Sequence, residues 1–174
     1  MSGLKTLVLI RHAKSSWKDA SLTDRDRPLN GRGKRDAPEM GRRLAARDAP
    51  PDLIVSSPAA RALATARIIA EAVGYPVDRI REDERIYMAG QADILEAIHD
   101  LDDEDDRVFL FGHNPGLTDL VNMLSESPVE NVPTCGVVEF RMTGERWADL
   151  SRETVQRAGF QTPKDEEPGE GSTT

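Results

Sequence analysis

Cysteine is nearly absent: Cys135 is the only one in 174 residues. A single thiol excludes an intramolecular disulfide and any multi-cysteine metal site. No apolar run approaches the roughly 20 residues that a membrane-spanning helix needs. The N-terminus passes from Ser2 and Gly3 directly into Leu4–Ile10, without the basic region and small-residue cleavage site of a secretory signal. The chain is therefore expected to be soluble and cytoplasmic, with no membrane partner. Net positive charge is lacking as well. The net charge is −8, whereas affinity for nucleic acid depends on a basic face, so a general nucleic-acid binder is excluded. Histidine is scarce, at three residues, which makes the position of each informative. No internal repeat is visible. The length suits one domain with one hydrophobic core and is short for two.

The charge that is present is unevenly spread. Residues 11–47 hold Arg11, Lys14, Lys18, Arg25, Arg27, Arg32, Lys34, Arg35, Arg42, Arg43 and Arg47, whereas Asp102, Asp103, Glu104, Asp105 and Asp106 form one acidic run. The acidic run reads as solvated surface. The basic stretch has two readings, solvated surface or a functional face, and it directly follows the Arg11-His12 pair.

Leu4 to Ile10 is an almost unbroken apolar run, the pattern of a strand buried on both faces of a parallel sheet. Ala37, Met40 and Leu44 then fall at helical spacing in a segment ending near Asp48, with Pro38 expected to kink the first turn or delay its start. Leu53, Ile54 and Val55 form a second strand, followed by Ser56, Ser57 and Pro58 as the start of a helix. Ala62, Ala66, Ile69, Ala70 and Val73 trace one helical face, which Gly74 closes. Residues 77–80 read as a short extended piece. Beyond a loop through Glu84, Ile94, Leu95, Ile98 and Leu101 mark another helix and Val108–Phe111 a third buried strand. Pro115 opens a helix carrying Leu117, Leu120, Val121 and Leu124. Val138, Phe140 and Met142 alternate with Glu139 and Arg141, the period of a half-exposed strand, and Gly144 suggests a turn into a last strand around Trp147.

Strands alternating with helices imply an α/β fold: a three-layer α/β/α domain over residues 1–160, with a mainly parallel central sheet and one antiparallel edge hairpin. From 161 to 174 the chain is rich in Glu, Pro, Gly, Ser and Thr, the composition of a disordered acidic tail.

In open α/β sheets ligands bind beyond the carboxyl ends of the strands. Three such ends carry related chemistry: Arg11 and His12 after the first, Ser57 to Arg61 after the second, Gly112 and His113 after the third. His99, the remaining histidine, lies between apolar positions of a helix and reads as structural or surface. Two arginines and two imidazoles drawn into one pocket repel one another unless an anion joins them. A tetrahedral phosphoryl dianion meets that need, because arginine offers a planar fork of donors and helix N-termini near Arg61 and Asn114 offer backbone N–H groups. His12 is read as more than a binding group. A fixed nucleophile divides phosphoryl transfer to water into two easier displacements, and neighbouring arginines favour the neutral imidazole that attack requires. The same arginines neutralise charge on the transferring group, with His113 as a charged donor. No metal or cofactor is expected, since histidines flanked by arginines repel a cation.

Arg11-His12-Ala13 after a buried strand, Ser56-Ser57-Pro58 with Arg61 at a helix start, and Gly112-His113-Asn114-Pro115-Gly116 after a later strand closely resemble the histidine phosphatase superfamily, also called phosphoglycerate-mutase-like. Within it, Arg11-His12-Ala13-Lys14-Ser15-Ser16-Trp17, Arg27-Pro28-Leu29-Asn30 and Gly112-His113-Asn114-Pro115 look like the SixA-type phosphohistidine phosphatases. The resemblance implies that His12 is the phosphorylated nucleophile, that Arg11 and Arg61 bind phosphate, and that His113 completes the pocket. Glu84 matches the position where many members keep a carboxylate proton donor, which would protonate an oxygen leaving group and later activate water. A phosphoimidazole leaving group needs less help. Asn30 stands where many relatives have threonine or serine near the phosphate, and Asn114 is grouped with it as a phosphate contact. Ala13 replaces the glycine of the commonest motif, as the SixA-like branch does. Trp17 reads as packing, with substrate contact as the alternative.

Larger relatives enclose small sugar phosphates beneath a helical cap. Here the segment from Gly74 to Arg107 holds little beyond one helix and short loops, so an open pocket is expected, suited to a phosphoryl group displayed on a protein such as a histidine phosphotransfer domain. The expected activity is metal-independent dephosphorylation of a phosphohistidine protein. A broad small-molecule phosphomonoesterase and a non-catalytic phosphate-recognition module are the alternatives. A mutase fits poorly, because two-way transfer needs a site closed to water.

Overall fold

The structure is a computed structural model that describes residues 4–47 and 49–165. Its strands are β1 (Leu4–Arg11), β2 (Leu53–Ser56), β3 (Arg81–Glu82), β4 (Arg107–Gly112), β5 (Val137–Thr143) and β6 (Val155–Gln161). The helices are α1 (Gly31–Arg47), α2 (Ala60–Val73), α3 (Gln91–His99) and α4 (Gly116–Leu124). One sheet takes all six strands in the order β3-β2-β4-β1-β5-β6. The first four are parallel, and β5 runs antiparallel to both β1 and β6.

The apolar run of β1 decides the layers, because successive side chains leave a strand on opposite faces. Leu7 and Leu9 join Ile94 and Ile98 of α3 and Leu117 and Leu120 of α4 in one core. Val8 and Ile10 join Met40 and Leu44 of α1 and Ala66 and Ile69 of α2 in the other. Two apolar sets interleaved along one strand therefore produce the α/β/α sandwich. Among the described residues, no helix is long and apolar enough to cross a membrane.

The structure departs from the sequence expectation in several places. Pro38 does not delay α1, which begins at Gly31 behind Asn30, whose Oδ1 accepts the Gly33 N–H at 2.9 Å. That cap and the burial of Ala37, Met40 and Leu44 outweigh the single N–H that proline removes. The extended piece at 77–80 is a 3-10 turn, Val77–Arg79, leading into β3. The strand expected around Trp147 is likewise a 3-10 turn, Trp147–Asp149, and the hairpin partner of β5 is β6. Trp147 leaves the sheet because its ring is fully buried beside Lys5 and its Nε1–H donates to the Asp105 carbonyl at 2.8 Å.

The acidic run is only partly solvated surface. Asp106 Oδ1 accepts from Lys5 Nζ at 2.9 Å, the Asp103 carbonyl accepts from it at 2.7 Å, and Asp103 Oδ1 accepts the Trp147 N–H at 2.8 Å. The boundary drawn at 161 also shifts. Gln161 pairs with Val137 in the sheet and accepts from Arg47 Nη1 at 3.0 Å, while Arg43 Nη1 donates to the Thr162 carbonyl at 3.1 Å. Residues 166–174 of the expected tail lie outside the described residues.

Candidate active site

β1, β4 and β2 lie side by side, so their carboxyl ends bring three distant segments together. His12 N–H donates to the Gly112 carbonyl at 3.1 Å, and Ser57 N–H donates to the Phe111 carbonyl at 3.0 Å. Arg11, His12, Arg61, His113 and Asn114 line one cleft of about 590 Å³. His12, Arg61 and His113 are buried and Arg11 is half-buried.

The His12 ring is held in one tautomer. Its Nδ1 lies 2.7 Å from the Ala13 carbonyl, and a carbonyl only accepts, so Nδ1 carries the hydrogen and Nε2 the lone pair. Burial, then the His113 ring and the charges of Arg61 and Arg11, bring its pKa down to about 3 despite that hydrogen bond. The imidazole is therefore neutral at physiological pH. Thr65 anchors the same peptide: its Oγ1 accepts the Ala13 N–H at 3.0 Å and donates to the Arg61 carbonyl at 2.7 Å. The nucleophile candidate and the arginine helix are thereby tied through one buried hydroxyl.

His113 stands with its ring centre 5.0 Å from that of His12, and its Nε2 lies 2.7 Å from Ser57 Oγ. Burial and the nearby Arg61 pull its pKa down to about 4, so the protein alone makes it neutral rather than the charged donor expected. A phosphoryl dianion alongside reverses that preference, because an opposite charge favours the protonated ring. Arg11 Nε, Arg61 Nε and His113 Nδ1 are three of the four buried side-chain polar atoms without a hydrogen-bond partner among the described residues.

Two residues that sequence reasoning missed organise the arginines. Asp24 accepts from Arg61 Nη2 through Oδ2 at 3.0 Å and from Arg61 Nη1 through its carbonyl at 2.7 Å. Tyr87 donates its hydroxyl to the same carboxylate at 2.7 Å. Burial alone would raise the Asp24 pKa, but Tyr87, Arg61 and Arg27 outweigh it and hold the value at about 2. Within Asp24-Arg25-Asp26-Arg27 the alternation of charge looks like exposed loop, and the neighbouring Arg27-Pro28-Leu29 stretch was the sole available signal.

The remaining candidates are placed differently from expectation. Glu84 lies outside the cleft lining, where both carboxylate oxygens accept from Arg25, at 2.6 and 3.0 Å. Arg25 lowers its pKa, so the group is an exposed carboxylate without a proton to give. Asn30 is also outside the lining and serves as the cap of α1. Asn114 reaches the cleft, but its amide is committed elsewhere: Nδ2 donates to Asn131 Oδ1 at 2.9 Å and to the Val132 carbonyl at 2.8 Å, and Oδ1 accepts from Thr118. Trp17, expected to pack, is exposed and lines the cleft. His99 is structural, its Nε2 lying 2.9 Å from the Leu150 carbonyl. Among the described residues, no group of three or more His, Cys, Asp or Glu is placed to hold a metal ion.

Known proteins are similar to this chain in sequence and in fold. The family model for the histidine phosphatase superfamily (branch 1) matches residues 7–87. An uncharacterised chloroplastic protein of Arabidopsis thaliana is 32% identical over 153 residues, which is 83% of this chain and 70% of that protein. A structure from Nakamurella multipartitia, named as a candidate phosphohistidine phosphatase SixA, matches with a TM-score of 0.79 at 26% identity, covering 94% of this chain and 99% of that one. One from Agrobacterium tumefaciens, named likewise, matches with a TM-score of 0.75 at 28% identity, covering 91% and 98%. The chain is therefore a phosphatase of the histidine phosphatase superfamily and belongs to its SixA-type branch.

Proposed function

We propose that the protein dephosphorylates a phosphohistidine side chain displayed on another protein, through a covalent phosphoryl intermediate on His12. The observation that carries this reading is the fixed tautomer of His12: Nδ1 is bonded to Ala13 and Nε2 is left as a neutral nucleophile in a cleft with Arg11, Arg61 and His113. In the first displacement Nε2 attacks phosphorus and the P–N bond to the substrate ring breaks. The substrate imidazole, protonated at its other nitrogen, leaves as a neutral ring. His12 keeps its Nδ1–H and gains positive ring charge, which the Ala13 carbonyl stabilises as acceptor of that N–H. In the second displacement water attacks phosphorus, the P–Nε2 bond breaks, and dihydrogen phosphate leaves as His12 returns to neutrality. Neither step draws a proton from a carboxylic acid, in keeping with an ion-paired Glu84 outside the cleft and an ionised Asp24 within it.

Arg11 and Arg61 bind the non-bridging oxygens and offset the charge that builds on them in transit. Asp24 occupies one side of the Arg61 fork and leaves its other N–H groups for the phosphoryl group. The cationic groups around the cleft support a metal-independent reaction, since they oppose a divalent ion. Access supports a protein-borne substrate: between α2 and β4 the chain forms only β3, α3 and single 3-10 turns, with no helical cap. The test is a comparison of kcat/KM on a phosphorylated histidine phosphotransfer domain with that on sugar and glycerol phosphates, with and without chelator. Preference for the protein, unaffected by chelator, is expected. The opposite preference would instead identify a small-molecule phosphomonoesterase.

A further inference from the structure

Six large hydrophobic side chains stand exposed among the described residues, and the two most exposed, Met88 at 82% and Trp17 at 73%, both line the catalytic cleft. Single exposed apolar residues are ordinary on a protein surface. Two such residues gathered on one cleft are not, because their area gains only when something covers it. The phosphoryl group cannot be what covers them, since its oxygens need the donors of Arg11, Arg61 and His113. The carrier of that group lies beyond phosphorus, opposite the attacking nitrogen, and it is the part of the substrate with apolar surface to offer.

Trp17 is held as a platform. The Arg27 guanidinium lies 3.4 Å from the ring centre. Arg27 is itself buried, donating through Nη1 to Ser15 Oγ at 2.8 Å and through Nε and Nη2 to Asp24 Oδ1 at 3.2 and 3.1 Å. One face of the indole is therefore covered by a fixed cation. A ring so covered that still keeps most of its area exposed presents its opposite face, which is where a second planar group stacks. Met88 has a backbone φ of 52°, a left-handed conformation that a methionine adopts rarely and at some cost. The thioether it presents packs well against the edge of an aromatic ring.

We infer that Trp17 and Met88 are specificity-determining residues: Trp17 stacks on the planar ring of the leaving group, Met88 adds a second apolar contact, and together they select imidazole carriers over non-aromatic carriers. This rests on the reading of the cleft as a phosphohistidine phosphatase site, and it adds how the ring is recognised.

Phosphoimidazole and phosphoramidate both carry a P–N bond, and only the first has a ring. Wild-type, Trp17→Phe, Trp17→Ala and Met88→Ala proteins are compared by the ratio of kcat/KM on the two compounds. Trp17→Ala lowers the ratio about tenfold, chiefly through KM for phosphoimidazole, Trp17→Phe restores most of it, and Met88→Ala lowers it about threefold. A ratio unchanged in Trp17→Ala, with both compounds still hydrolysed, overturns the stacking assignment and leaves the phosphatase reading standing. If the wild-type protein hydrolyses neither compound but dephosphorylates a histidine phosphotransfer domain, the ring itself is not what the cleft selects and the stacking assignment falls alone. If it acts on none of the three, the phosphohistidine reading falls with it.

Discussion

Lys5 and Arg11 sit near opposite ends of β1, and their surroundings differ in how completely each cation is matched. Lys5 is 1% exposed, yet its ammonium has a carboxylate from Asp106, a carbonyl from Asp103 and the Trp147 ring 5.4 Å away. At the other end Arg11, Arg61, His12 and His113 share a cleft in which Asp24 is the sole acidic residue of the lining among the described residues. A buried charge that meets its partner within the chain belongs to the fold. A buried cluster with more donors than acceptors is suited to an anion from outside, and its titration is shifted accordingly. The acidic run at 102–106 thus supplies the balance at one end of the strand, whereas the cleft at the other end keeps donors without acceptors among the described residues.

Substitutions that separate the two ends test this contrast. The largest effect is expected at His12: replacement by alanine lowers kcat by about 10⁴-fold or more and removes the acid-labile phosphoryl label from the protein. Retention of that label in the variant would place the nucleophile elsewhere. Arg61→Ala follows, with a loss of about 10² to 10³ in kcat/KM, measured with phosphoimidazole, because one preorganised charge on the transferring group is gone. Both changes leave the Lys5 end untouched, and the far-ultraviolet circular dichroism of the variants should match the wild type.

The histidines also give the cleft end a pH signature. In the fold His12 and His113 titrate at about 3 and about 4, whereas in the unfolded chain histidine titrates near ~6.5. Across that window the unfolded chain binds more protons. Stability contributed by the neutral rings is therefore complete above pH ~6.5 and is lost as pH falls, toward about 4 for His113 and about 3 for His12, at up to ~1.4 kcal/mol per pH unit for each ring. Urea unfolding at stepped pH measures the slope. A double variant, His12→Asn with His113→Asn, should flatten it, and an undiminished slope in that variant would assign the effect to other groups.

Smaller effects are expected where charges are matched or solvated. Asp106→Ala leaves Lys5 with fewer partners and lowers stability by about 1 to 2 kcal/mol, less than a fully buried pair because Asp106 is itself half in water. Its kcat should equal that of the wild type, which thermal unfolding and steady-state kinetics together check. The smallest change belongs to Glu84→Gln. An exposed ion pair contributes at most ~1 kcal/mol, and turnover of a P–N substrate should stay within about twofold; a tenfold loss would return the proton-donor role to this carboxylate.

The strands and helices around the cleft were legible in the sequence wherever apolar periodicity was strong. Leu4–Ile10, Val108–Phe111 and the Ala62 to Val73 face all appear as the expected elements. β6 escaped because Val155, Ala158 and Phe160 are its few apolar residues, and it is an edge strand only partly buried. Trp147 misled for the opposite reason: an aromatic after an alternating strand reads as more strand, while its burial depends on Lys5 and Asp105, far away in the chain. Asn30 next to a glycine-bearing helix start carried a cap signal that phosphate chemistry overshadowed.

What the sequence alone determined is which groups stand at the carboxyl ends of β1, β2 and β4, because a motif directly after a strand inherits its position from local order. Only the tertiary structure decided which charges are matched. The partners of Lys5 and Arg61 lie 101 and 37 residues away in the chain, and electrostatic balance depends on distance in space rather than along the chain. That is why Asp24 was invisible until the chain folded, and why Glu84, close to the site in sequence pattern, turned out to belong to Arg25.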